Sequence, residues 1–463
     1  MINLLNKKYT NYTYNENNKK IITIIVFFVI IITNFAFISQ ATIYKKNKEF
    51  DYNNSYFNLR DKDIKEWCFL SYLNGDYEQR DENNVIIYIN QLELIGSNSD
   101  IDIVVQADDR DIWNGETRRY YITYDNTDSI NSQEVDFSNK SEKNMGDSNT
   151  LCSFLNWAIN KYPAKRYCVL TYGHAKGWLG HNILPDISNI SSTMNLTQFR
   201  DSLSDASRLI KEKSNQIKEK IDILIMIPCF MGMIECCYQI KDSVEYYIAS
   251  EGAMLSNFVS LNNIADILTK YPSDSLKDIS QRIVNGAHNN QNQHRLFGMN
   301  LSEIDSTISA VNDLAAIGRT HISNGNITRV KEAFSESVVY NHKNNPHPHD
   351  LIEIAQSYDC CKCIDIQNRI NNILIKPDKG ITNYGWNGLS IYFPPNKEKE
   401  NMDEYKKLDF AKNTHWDEFL EEYLDSDEES ANYRYILSFI SLAKHKFPLF
   451  YDTINKIFPV LNI

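Results

Sequence analysis

Apolar and polar positions alternate along this chain with two different periods, and the periods take turns. Trp67-Cys68-Phe69-Leu70-Ser71-Tyr72-Leu73 is a mostly apolar run stopped by Asn74-Gly75-Asp76, the pattern of a buried strand ending in a turn. Val85, Ile86, Ile89, Leu92 and Ile95 then recur at helical spacing over 84–95. Residues 101–106 read as a second strand, and 119–123 as a more exposed strand or hairpin arm. Thr150 is placed to cap a helix through Leu151, Phe154, Leu155, Ala158 and Ile159, stopped by Pro163. A third strand over 167–172 leads to Gly173-His174, a helix over 196–217 follows, and a fourth strand over 221–227 leads to Pro228-Cys229. A fifth strand covers 246–249 and a late one 388–393. Strands alternating with helices imply an α/β fold, a mainly parallel sheet covered on both faces.

Two regions depart from this rhythm. Residues 21–38 (IITIIVFFVIIITNFAFI) are interrupted only by Thr23, Thr33 and Asn34, with Lys19 and Lys20 just before them. About 18 residues at a 1.5 Å rise span roughly 27 Å, long for a signal peptide and short for an anchor. Small residues at Ser39 and Ala41 offer a cleavage site. The expectation is export, with 21–41 acting as signal peptide or membrane anchor, 1–20 as its basic and polar lead and 42–63 as a linker. A globular domain is expected over 64–400. Residues 401–463, acidic and then apolar, read as a helical extension.

Composition narrows the function classes. Lys+Arg number 48 against Asp+Glu 60, a net charge of −12, which argues against a generic nucleic-acid binder. The nine cysteines, Cys360-Cys361-Lys362-Cys363 and Cys236-Cys237 included, lack the paired spacing of a zinc site, so buried thiols are expected and no metal ligand is assigned. His347-Pro348-His349 reads as a loop with exposed imidazoles, and Asp425 to Glu429 as a solvated acidic linker. Asn195-Leu196-Thr197 and Asn300-Leu301-Ser302 fit a glycosylation pattern that is common by chance. Nothing in the pattern speaks to oligomeric state.

The chemistry is expected at the carboxyl ends of the strands, where reactive groups gather in open α/β sheets. Consecutive central strands end at His174 and Cys229. A parallel crossover places both on one sheet edge, as a thiol–imidazole pair requires. On position alone, packing roles for both residues compete with this reading.

The surrounding residues decide between them. Tyr172-Gly173-His174-Ala175-Lys176-Gly177-Trp178 and Pro228-Cys229-Phe230-Met231-Gly232-Met233-Ile234-Glu235 resemble the two catalytic motifs of the clostripain family of cysteine peptidases. The similarity extends over roughly 64–425, through Trp67–Asp76, Thr117–Tyr121, Ala249-Ser250-Glu251, Gly388–Pro394 and Trp416–Leu420. It implies a caspase-like three-layer α/β/α sandwich and a cysteine endopeptidase acting on protein or peptide substrates. His174 then carries over as general base and acid, Cys229 as nucleophile, and the N–H groups of Ala175 and Cys229 as the oxyanion hole. Ala175 replaces a glycine, which strains the loop if φ is positive there. The family's acid two residues before the nucleophile is Ile227 here, which puts basic specificity in doubt, and Glu251 is the substitute acid to consider. The family implies no required cofactor, though some members need Ca²⁺. The competing reading is a catalytically silent relative that binds a peptide or partner. Membrane contact is expected through 21–38 if that segment is kept, with the peptidase domain outside the cytoplasm.

Overall fold

A computed structural model describes residues 64–76, 84–113, 116–135, 142–180, 183–186, 193–214, 217–254, 259–288, 295–339, 346–358, 362–378, 386–394 and 401–426. The expected export segment, the linker and the tail beyond 426 lie outside the described residues. No described helix is long and apolar enough to cross a membrane.

The apolar runs form the middle of a nine-stranded sheet. Its parallel centre is built from β1 (Lys65–Asn74), β2 (Ile101–Asp108), β5 (Ala164–Tyr172), β6 (Ile221–Met226) and β7 (Val244–Ala249), with β3 (Arg118–Tyr121) and β4 (Gln133–Glu134) antiparallel beyond β2. β8 (Phe297–Asn300) and β10 (Leu374–Ile375) extend the other side antiparallel, giving the order β10-β8-β7-β6-β5-β1-β2-β3-β4. Each central strand is apolar on both faces because each face is covered. Cys68, Leu70 and Tyr72 of β1 join one core layer, with Leu151, Phe154, Phe199 and Leu203 from the helices Ser148–Lys161 and Leu196–Lys213. Trp67, Phe69 and Leu73 join the other, with Val85, Ile89, Leu261, Ile264, Ile279 and Ile283 from Asn84–Glu93, Leu261–Lys270 and Leu276–Gly286. This is the expected α/β/α sandwich.

Several local expectations are corrected. The cap of the helix Ser148–Lys161 is Asp147, whose carboxylate accepts the Asn149 N–H, so Thr150 lies inside the first turn. Asn195 caps the helix Leu196–Lys213 in a reciprocal box with Gln198. The late strand, β11 (Ser390–Tyr392), stands apart from the main sheet and pairs antiparallel with β9 (Pro348–Asp350). His349 is therefore a buried strand residue bonded to Ser337 Oγ, and burial holds its imidazole neutral down to a pKa of about 3. Cys363 is disulfide-bonded, which corrects the expectation of thiols throughout. Residues 401–426 pack onto the domain: Phe410, Trp416, Phe419 and Leu420 are fully buried, and Trp416 Nε1 donates to Tyr392 O.

Candidate active site

β5 and β6 are paired in parallel up to Thr171 opposite Met226, and the Ile227 N–H continues the ladder onto Thr171 O at 3.1 Å. His174 and Cys229 each lie three residues beyond that last pair, so both leave the sheet at the same carboxyl edge. Both are half-buried.

The loop after β6 is short and tightly held. Phe230 N donates to Gly252 O at 3.0 Å and Gly232 N to Ser250 O at 2.7 Å, fastening it to the chain leaving β7. Phe230 has φ 62°, a left-handed conformation that costs a bulky residue energy and persists only where neighbours impose it. Met254 N–H donates to Cys229 Sγ at 3.2 Å, and the thiol reaches Met254 O at 3.5 Å. Burial pushes the Cys229 thiol above its usual range, while the Met254 N–H and the charge of Arg295 draw it back. Arg295, just before β8, is buried, donates through Nη1 to Ala253 O at 2.8 Å and lies over the Trp386 ring at 5.8 Å.

The loop after β5 is longer and held from a distance. His174 O accepts the Leu184 N–H at 2.8 Å. Leu184 O and Pro185 O in turn accept Asn74 Nδ2, at 2.8 and 3.1 Å, so the end of β1 braces this loop. Positive φ falls on Gly173, Gly177 and Gly180, and among non-glycine residues of the loop on Leu184; Ala175 is spared, so replacing glycine there carries no backbone strain. Gly177 brings the two loops into contact. A Cβ there would lie 2.5 Å from Met233 Sδ and 2.9 Å from Phe230 O. Trp178 anchors the loop edge-on against Tyr392 and Tyr405, with centroids 4.6 and 4.8 Å away.

The two remaining candidates sit deeper. Ile227 is 3% exposed and belongs to the core layer with Ile223 and Ile225. Glu251 is fully buried, and burial, then the Asp350 carboxylate, raise its pKa far above the usual range. Burial disfavours the charged form of this carboxyl. Met254, Arg295 and Asn74 escaped the sequence reading. Arg295 is 66 positions from Cys229 (295 − 229) and reaches its surroundings only because β8 folds back antiparallel on β7.

Comparison with known proteins gives a consistent placement. The clostripain family matches residues 51–423. A secreted C11 cysteine protease from Bacteroides thetaiotaomicron, solved with an irreversible peptide inhibitor, is similar with a TM-score of 0.53 at 16% identity, covering 75% of this chain and 99% of that one. An inactive zymogen C11 protease from Parabacteroides distasonis is similar with a TM-score of 0.53 at 20% identity, covering 75% and 98%. At these identities the structures speak to fold. No curated protein sequence matches. The family match spans both loops and the whole parallel sheet, and on it the chain belongs to the clostripain family, as a cysteine-type endopeptidase.

Proposed function

We propose that this peptidase works through a His174–Cys229 dyad. The observation that carries the proposal is the register of β5 on β6, which brings the two residues off the same sheet edge at matched positions. The His174 imidazole takes the Cys229 thiol proton, and the thiolate attacks the peptide carbonyl carbon. A C–S bond forms, and the carbonyl π pair moves to oxygen, where the N–H groups of Ala175 and Cys229 stabilise it. As the tetrahedral species collapses, the C–N bond breaks and His174 protonates the departing amine. Water then gives a proton to His174 and its hydroxyl to the acyl carbon, releasing the acid and the thiolate.

Ile227 stands where the family carries an acid, and Glu251 is fully buried in surroundings that disfavour its charged form, so neither position favours Arg or Lys before the scissile bond. The chain between Lys176 and Arg200 also lacks any Lys or Arg, so self-cleavage after a basic residue in that stretch is not its route to activity. The apolar run at 21–38 directs the domain out of the cytoplasm, cleaved or retained as an anchor. The secreted relative and the disulfide at Cys363 agree with an oxidising compartment.

The test is labelling by a peptide electrophile followed by mass mapping. Adduct on Cys229, lost in Cys229→Ala and strongly slowed in His174→Ala, is the expected result. Adduct on another cysteine, or labelling indifferent to His174, overturns the dyad. Fractionation with external protease tests the location: a domain degraded only after cell lysis contradicts export.

A further inference from the structure

Arg295 brings a buried cation to the surroundings of Cys229. Its Nη1 donates to Ala253 O at 2.8 Å, and the next N–H along the chain, that of Met254, donates to Cys229 Sγ at 3.2 Å. These two bonds, joined through one peptide unit, keep Nη1 within roughly 8–9 Å of the sulfur. Arg295 also acts on the thiol through its charge, drawing the pKa down.

The guanidinium is held from two further sides. It lies over the Trp386 ring, 5.8 Å from the centroid, and a ring beneath it restricts its plane. Trp386 packs so closely on Gly252 that a Cβ there would lie 2.3 Å from the ring, and Gly252 O accepts the Phe230 N–H beside the nucleophile. Ile227 and Leu296 share one apolar layer, with Met254 packed against it. The charges these residues bring are one-sided. Ile227 is apolar where the family carries an acid. Glu251 has Asp350 and Glu353 as its charged neighbours, in burial that disfavours its own charge.

We infer that Arg295 selects an acidic residue, Asp or Glu, before the scissile bond, the opposite sign to the family's basic preference. A carbonyl carbon poised for attack sits about 3–3.5 Å from the sulfur. The carboxyl carbon of the residue before the scissile bond is three bonds from that carbon in Asp and four in Glu, a further reach of roughly 4–5 Å. An acid in that position therefore spans the distance from Cys229 to Arg295. The planar guanidinium fork matches a carboxylate with two parallel bonds, and a charge-assisted pair of this kind is both strong and directional. A Lys or Arg in the same place would bring a second positive charge against Arg295, so the site works against a base as well as for an acid. This selectivity rests on Cys229 being the nucleophile.

The test uses the full chain and peptides that differ only in the residue before the scissile bond: Asp, Glu, the uncharged isostere Asn, Ala and Lys. In the wild type, kcat/KM for Asp or Glu should exceed that for Asn by at least about tenfold, with Lys the poorest. In Arg295→Gln the Asp-to-Asn ratio should collapse toward unity. Arg295→Lys, which keeps the charge and loses the fork, should retain only part of it, and carries the comparison if Arg295→Gln does not fold. Each ratio is taken within one enzyme, so a slower thiol or a weaker fold cancels, and a merely structural Arg295 would leave it unmoved. Asn cleaved as well as Asp by the wild type, or a ratio unchanged in the variants, overturns the inference. The same peptides carrying an electrophile separate it from the dyad. Adduct forming on Cys229 equally fast with Asp and Asn overturns the selectivity alone, whereas adduct absent from Cys229 with every peptide overturns the dyad and the selectivity with it.

Discussion

The loops that carry Cys229 and His174 leave neighbouring strands at the same edge, yet they are built on opposite plans. The Cys229 loop is a few residues long, enters a helix at once (Ile234–Ile240), and is fastened by backbone bonds to the adjacent strand exit at Ser250 and Gly252. Its geometry comes from the sheet. The His174 loop runs to the helix at Leu196, turns on three glycines, and is held by bonds from β1 through Asn74 and by aromatic packing against Tyr392 and Tyr405. Its geometry comes from parts of the chain far away in sequence. On the proposed dyad, the nucleophile needs a fixed position against the carbonyl, and the sheet would supply that. The proposed base, which must move a proton twice, would tolerate a longer suspension.

The largest expected effect tests the pair as a unit. Cys229→Ala and His174→Ala should each lower kcat/KM by on the order of 10³-fold or more, and the double variant should be little worse than either alone, because groups acting in one step are not additive. Thermal unfolding should remain cooperative in all three. Additive losses would mean that the two loops serve separate purposes.

Next is Arg295, which belongs to the Cys229 side of the comparison. Its charge draws the thiol pKa down and its guanidinium pins Ala253. Arg295→Leu should raise the pH midpoint of Cys229 alkylation and slow turnover by about tenfold at neutral pH. A purely structural role would lower stability and leave the alkylation midpoint where it was.

Glu235 sharpens the same side from beneath. It lies in the helix after Cys229, fully buried, and Oε1 accepts Tyr392 N–H at 2.9 Å and Tyr405 OH at 2.8 Å. Burial raises its pKa from 4.5 to about 7. The folded state therefore holds this proton more tightly than the unfolded one, so stability falls as pH rises from about 4.5 through about 7. Over that window the wild type should lose up to roughly 3 kcal/mol that Glu235→Gln does not. Parallel stability curves for the two proteins, measured by denaturant unfolding at pH 5 and 8, would contradict this.

What the sequence discloses follows the same division. Local signals suffice where the sheet does the work: long apolar runs mark β1, β2, β5, β6 and β7, and the residues just past two of them are His174 and Cys229. Sequence reading fails where distant contacts decide. β8 and β10 are four and two residues long, Phe297–Asn300 and Leu374–Ile375, too short for a period to show. β9 contains Pro348 and His349, which read as a loop until Ser390–Tyr392 pairs with it. Asn74-Gly75-Asp76 reads correctly as a turn, but nothing local says that Asn74 reaches 110 residues onward (184 − 74) or that Asp76 meets Asp108 and Glu142. Glu251 was identifiable as an acid near the site, while its burial against Asp350 depends on a strand 99 residues away (350 − 251).

The smallest effect belongs to the far end of the His174 loop. Asn195 Oδ1 accepts the Gln198 N–H at 2.8 Å, and the Gln198 side chain returns a bond to the Asn195 N–H at 3.0 Å. This reciprocal cap starts the helix Leu196–Lys213, which packs Phe199 and Leu203 under the sheet. Asn195→Ala removes the side-chain acceptor and should cost about 1 kcal/mol of stability. For a domain of this size that is a melting-temperature drop of roughly 1–2 °C. Because Asn74 and Leu184 hold the loop nearer to His174, kcat/KM should stay within about twofold of wild type. A drop in activity larger than the loss of stability explains would show that the suspension of His174 extends to the helix, and the contrast between the two loops would then have to be redrawn around Asn195.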